Sequence, residues 1–220
     1  MDFHFEILDE NRKELLAIFA NFKNSFYLAG GTALALEIGH RQSIDFDFFT
    51  KTTFIPESLI KELKDISPAK TFEIIDQQKN TLNIIFLEGE VKVSFLHYPY
   101  PLLNPLLDAQ SVNIASKEDI AAMKCSAILS RSELKDYVDL YYLIKEISLE
   151  RIMECLTSKM PELSHALVLK SLSYFEDVNE DKLLFMPGFE ISFSEVKKFL
   201  EKEVRNYTLK MIRGIRTGLE

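Results

Sequence analysis

Apolar residues recur at helical spacing in residues 9–23, where Leu15, Leu16, Ile18, Phe19 and Phe22 fall on one face and predict an amphipathic first helix. The apolar run at 26–29 predicts a short strand, and the strong helix formers of 32–38 predict a helix directly after it. Ile44-Asp45-Phe46-Asp47-Phe48 alternates strictly between apolar and acidic positions, the period of a strand with one buried face. Pro56 opens a further helix to about Lys64, since proline is well tolerated in a first turn. Three β-rich runs follow at 71–75, 82–87 and 91–97, with turns expected at 77–80 and 88–90.

Tyr98-Pro99-Tyr100-Pro101-Leu102-Leu103-Asn104-Pro105 then interrupts both periodicities, because proline continues neither a helix nor a central strand. Beyond it the periodic segments are helical: 117–130, 133–145, 149–156, 162–175 and 193–212, with an acidic, irregular stretch at 176–191. The chain therefore reads as α+β. A mixed sheet with flanking helices is expected over 1–98, a proline-rich crossover linker over 99–115 and a helical domain over 116–220.

The alternation at 44–48 carries the first chemical signal. On a strand, Asp45 and Asp47 point the same way with Cα atoms roughly 6.6 Å apart, within reach of one hydrated Mg²⁺ or a pair of ions. Ile44, Phe46 and Phe48 would then bury the opposite face. On a helix the two carboxylates would diverge by about 200°. The second signal is Gly30-Gly31, placed where a strand ends and a helix begins. Free amides and the positive end of the helix dipole make such a start a phosphate site, and glycine leaves room for a ligand to approach. His40 and Arg41, in the loop that follows, lie within reach of a triphosphate bound there.

Length and composition narrow the setting. The 220 residues, 47% of them hydrophobic, suit one sizeable core or two small domains of a globular protein. The opening residues show no basic region followed by an apolar one, and no run of roughly 18 apolar residues occurs. A cytoplasmic protein without a membrane partner is expected. Cys125 and Cys155 fall within helical patterns without metal-ligand spacing and read as reduced thiols. The net charge of −8 argues against a protein that coats itself with nucleic acid, although Lys197, Lys198, Lys202, Arg205, Lys210, Arg213 and Arg216 form a local basic run.

A pair of helices offers a third signal. Lys124 and Arg131 fall inside the apolar stripe of 117–130, and Asp136 and Asp139 share a face with Leu140 and Leu143 on the next helix. A turn at Ser132 brings these charges together. The pairing is either structural, since an unpartnered buried charge is costly, or part of a site.

Taken in order, Gly30-Gly31-Thr32-Ala33-Leu34-Ala35-Leu36 and then His40-Arg41-Gln42-Ser43-Ile44-Asp45-Phe46-Asp47 resemble the AbiEii/AbiGii-type toxin nucleotidyltransferases, of the polymerase-beta-like superfamily. The later run Asp119-Ile120-Ala121-Ala122-Met123-Lys124, with Arg131, Lys135-Asp136 and Asp139-Leu140-Tyr141, is similar to their second-domain segment. The resemblance implies a Mg²⁺-dependent transferase acting from a nucleoside triphosphate on RNA or protein, with a cognate antitoxin as partner. It implies Asp45 and Asp47 as ligands of one or two Mg²⁺ ions, and Lys124 and Asp136 as residues beside the nucleotide. Gly30, Gly31, Thr32, Arg41, Ser94 and Arg131 would contact that nucleotide. The chain departs from the family at the expected third carboxylate, where Ser94 stands. Three readings stay open: Glu73, Glu88 or Glu90 fills that gap, Asp136 acts as base, or the chain is a nucleotide- or partner-binding module with weak chemistry.

Overall fold

The computed structural model describes residues 2–67, 69–180 and 182–217, with side chains as far as Arg213. They divide into two compact units, one of Met1–Ser116 with Leu184–Met186 and the other of Lys117–Leu183 with Pro187–Glu220.

In the first unit, α1 (Glu10–Phe19) starts at an Asp9 cap whose carboxylate accepts from the Arg12 amide at 2.9 Å. The chain continues through β1 (Tyr27–Ala29), α2 (Gly30–Ile38), β2 (Phe46–Thr50) and α3 (Pro56–Ile66). It then forms β3 (Phe72–Gln78), β4 (Thr81–Phe86), β5 (Val91–His97), β6 (Leu107–Ala109) and β7 (Val112–Ile114). The strands make one mixed sheet in the order β3-β4-β5-β2-β1-β7-β6, parallel at β2–β5 and β1–β7 and antiparallel elsewhere. Alternation sets its buried face: Phe46 and Phe48 of β2, Leu82, Ile84 and Phe86 of β4, and Val93 and Phe95 of β5 are all buried. Phe19 of α1 seals this face, edge-on to Phe46, Phe48, Phe86 and Phe95 at ring separations of 4.8–6.1 Å.

In the second unit, α4 (Lys117–Ser130) packs on α5 (Leu134–Ile147), α6 (Leu149–Lys159) and α7 (His165–Ser171), and α8 (Phe193–Thr217) packs on α5 and α6.

Several boundaries differ from the sequence reading. β2 begins at Phe46, not Ile44, and Ile44 is 56% exposed instead of buried. The reason is local: β1 ends at Ala29, opposite Asp47, so residues 44 and 45 have no partner on that side. Their carbonyls are taken by side chains, Ile44's by Arg12 Nε at 2.9 Å and Asp45's by the Thr32 hydroxyl. The stretch expected as linker contains β6 and β7. Val112-Asn113-Ile114 does alternate, but the hairpin turns at Gln110, with φ of +60°, and not at a glycine or asparagine. α7 spans Ser164-capped residues only to Ser171, short of the expected 162–175.

Candidate active site

Register places the acids. Asp47 lies opposite Ala29 on one side and Ser94 on the other, and Ser94 lies opposite Asn83. A row of short polar side chains therefore crosses β4, β5 and β2 and ends where β1 turns into α2. Asp45 precedes β2, so its place is set by its carbonyl's bond to Thr32 and not by strand alternation.

The Gly-Gly turn is shaped around these residues. Gly30 has φ of +74°, and a Cβ there would stand 3.1 Å from Asp47 Oδ2. A side chain at this position would be strained and would crowd the carboxylate. Gly31 serves a different neighbour: a Cβ would meet the Arg41 guanidinium at 2.5 Å. Ala29, at the N-cap, supplies no side-chain cap to α2, whose first turn lies beside Asp47 at Gly30 and beside the Arg41 guanidinium at Gly31.

The intervening loop is tied down along its length. Gly39 ends α2 in the left-handed conformation with the His4 ring packed against it. Thr32, 2% exposed, holds the Ser43 hydroxyl at 2.7 Å as well as the Asp45 carbonyl. Arg12 holds Ile44. Arg41 is buried and donates from Nη1 to the Gln42 carbonyl at 3.0 Å, and His40 is fully buried. Residues 184–186 pair with this loop from the far end of the sequence, a feature that no local pattern announces.

The acids weighed as substitutes for a third carboxylate lie elsewhere. Glu73 stands on β3, two strands from β5. The Glu88 carboxylate accepts from the Thr71 amide at 3.2 and 3.3 Å. Glu90 sits exposed in the turn before β5, with φ of +50°. Among the described residues, no group of three or more His, Cys, Asp or Glu is arranged to hold a metal.

The helical unit brings together its own charges. Lys124 Nζ is 2.6 Å from Asp136 Oδ1 and 2.5 Å from Asp139 Oδ2, with both aspartates fully buried. Arg131, at the surface, adds a 2.8 Å contact to Asp136. Burial raises the cost of the Asp136 charge, but Lys124 and Arg131 outweigh it and hold the carboxyl below its ordinary range. Sequence reasoning missed a second buried pair, Lys159 with Asp119 at 2.7 Å, because forty residues separate the two and no local pattern joins them. The cysteines are free and buried, and burial pushes the Cys125 thiol up to about 12. The basic run of α8 is partly spent internally, Lys210 on Glu150 and Lys197 over the Phe193 ring at 4.2 Å. The Arg216 side chain lies outside the described residues. Among them, no helix is long and apolar enough to cross a membrane.

The chain is 37% identical over 190 residues to the uncharacterized protein aq_aa25 of Aquifex aeolicus, covering 84% of this chain and 88% of that one. Its fold is similar to that of a Helicobacter pylori protein assigned as a nucleotidyltransferase, with a TM-score of 0.63 at 20% identity over 94% and 98% of the two chains. It is similar also to MenT4, a nucleotidyltransferase toxin of Mycobacterium tuberculosis, with a TM-score of 0.59 at 13% identity over 87% and 80%. The model of the nucleotidyl transferase AbiEii toxin of type IV toxin–antitoxin systems matches residues 14–207, and the chain belongs to that family.

Proposed function

We propose that the chain is a Mg²⁺-dependent transferase that takes a nucleoside triphosphate at the Gly30–Asp47 corner and passes a nucleotidyl or phosphoryl group to RNA or protein. The observation that carries this reading is the shared corner itself: a helix start whose N-cap is alanine, a carboxylate and a guanidinium come together where glycine removes the side chains that would fill it. The residues fit the metal. Mg²⁺ takes one or two carboxylates and completes its shell with phosphate oxygens and water, so Asp45 and Asp47 suffice without a protein cage. Asp45 and Asp47 would hold the ion, which would supply neutralisation of the phosphate charge. The α2 amides and Gly30-Gly31 receive phosphate oxygens, Arg41 offsets their charge, and Thr32 fixes the loop that presents Asp45. The burial of Lys124 and Asp136, and the pairing of Asp136 with Arg131 at the surface, support a role in holding the helical unit together. The family supports a cognate antitoxin as the genetic partner, and the absence of membrane-spanning helices among the described residues is consistent with the cytoplasm as its place of work.

Ser94 favours a second reading, a nucleotide-binding module with weak chemistry. It occupies the strand position directly opposite Asp47, yet serine neither ligates Mg²⁺ well nor accepts a proton at neutral pH. Ser94→Asp separates the two. A site limited by the missing carboxylate should gain turnover, by about a hundredfold or more, the scale of a placed general base. Unchanged or lowered turnover, measured with labelled triphosphate, would show that another group already does this work.

A further inference from the structure

Residues 184–186 belong to the sheet-containing unit, although the sequence on either side of them belongs to the helical one. They lie antiparallel to the loop at 40–42, with Phe185 opposite Arg41. Two backbone hydrogen bonds bracket that pair: Gln42 N–H donates to the Leu184 carbonyl at 2.8 Å, and Met186 N–H donates to the His40 carbonyl at 3.1 Å. The backbone is therefore fixed immediately before and immediately after Arg41. In this class of antiparallel pair the facing side chains also stand closest. Arg41 needs such support. Its guanidinium lies against Gly31 at the start of α2, so a small shift of its Cα would carry the charge away from the helix N-terminus.

We propose that Leu184–Met186 is a positioning strap, which acts through the backbone of 40–42 to hold Arg41 at the triphosphate site. The inference rests on the reading of that site given above. Its consequence is specific to one bond. Met186→Pro removes the N–H that reaches His40, whereas Met186→Ala keeps it and changes only the side chain.

The test measures binding of Mg²⁺ with each of the four nucleoside triphosphates by calorimetry, on the full chain and its variants, with thermal melts alongside. Met186→Ala should bind like the unaltered chain, and Met186→Pro should bind about fivefold more weakly, the scale of one lost hydrogen bond. In an Arg41→Ala background the proline should cost nothing further, because the strap works through Arg41. Equal affinity in Met186→Pro, or the same loss with and without Arg41, would overturn the strap. So would the loss of a cooperative melt in Met186→Pro, which would make the segment a requirement of folding. No binding by the unaltered chain would instead overturn the reading of the site, and the strap's role with it.

Discussion

Replacing Asp45 and Asp47 together by Asn is expected to abolish Mg²⁺-dependent triphosphate binding while leaving the fold in place. The substitution keeps shape and removes two charges, so metal affinity should fall below detection in calorimetry. Stability should hardly change or should rise slightly. Asp45 and Asp47, two residues apart in sequence, are both part-exposed, Asp47 stands opposite Ser94 across the sheet, and neither aspartate belongs to the sealed phenylalanine face. The site contribution of Asp45 to structure is its carbonyl, which Asn retains. Undiminished Mg²⁺–triphosphate affinity in the double variant would remove the metal site from this corner.

Lys124→Met should behave in the opposite way, costing about 3–5 kcal/mol of stability because it strands Asp136 and Asp139 in the helical core. Arg131 contacts Asp136 from the surface, where water screens its charge. A lysine that mainly served substrate would leave stability within about 1 kcal/mol and lower activity instead. Denaturant unfolding, followed with triphosphate binding, separates these outcomes. The pH dependence adds an independent readout. Because the Asp136 carboxyl is held below its ordinary value in the fold, its contribution is present above about pH 4. It is lost as the pH falls below that range, through the folded value. Removing Lys124 leaves the burial of Asp136 less opposed and so weakens this acid-linked loss: the stability gap between Lys124→Met and the unaltered chain should narrow as the pH falls below about 4.

The legible parts of this chain were those written locally. Gly30-Gly31 before a helix-forming run and the apolar–acidic alternation around Asp47 each announce themselves within a few residues, and the structure has both. The charged pair on α4 and α5 was legible for the same reason, since helical period and a short turn suffice to bring Lys124 to Asp136. What was not legible depends on distant partners. The start of β2 is decided by where β1 stops, and by Arg12 and Thr32 reaching the carbonyls of residues 44 and 45. β7 exists because Ile114 finds Leu28 in parallel, a pairing across more than eighty residues of sequence. The strap at 184–186 gives no periodic signal at all, and its only evidence is the loop it meets.

The central claim, that this corner supports transfer and not binding alone, is most directly met by one incubation. The chain is mixed with Mg²⁺, total RNA and nucleoside triphosphates labelled at the α- or the γ-phosphate, and covalent label is followed on RNA and on protein. The account expects Mg²⁺-dependent label on an acceptor, from the α-position for nucleotidyl transfer or from the γ-position for phosphoryl transfer, and none from the Asp45→Asn, Asp47→Asn variant. Triphosphate bound by the unaltered chain, with no label transferred from either position, would contradict it.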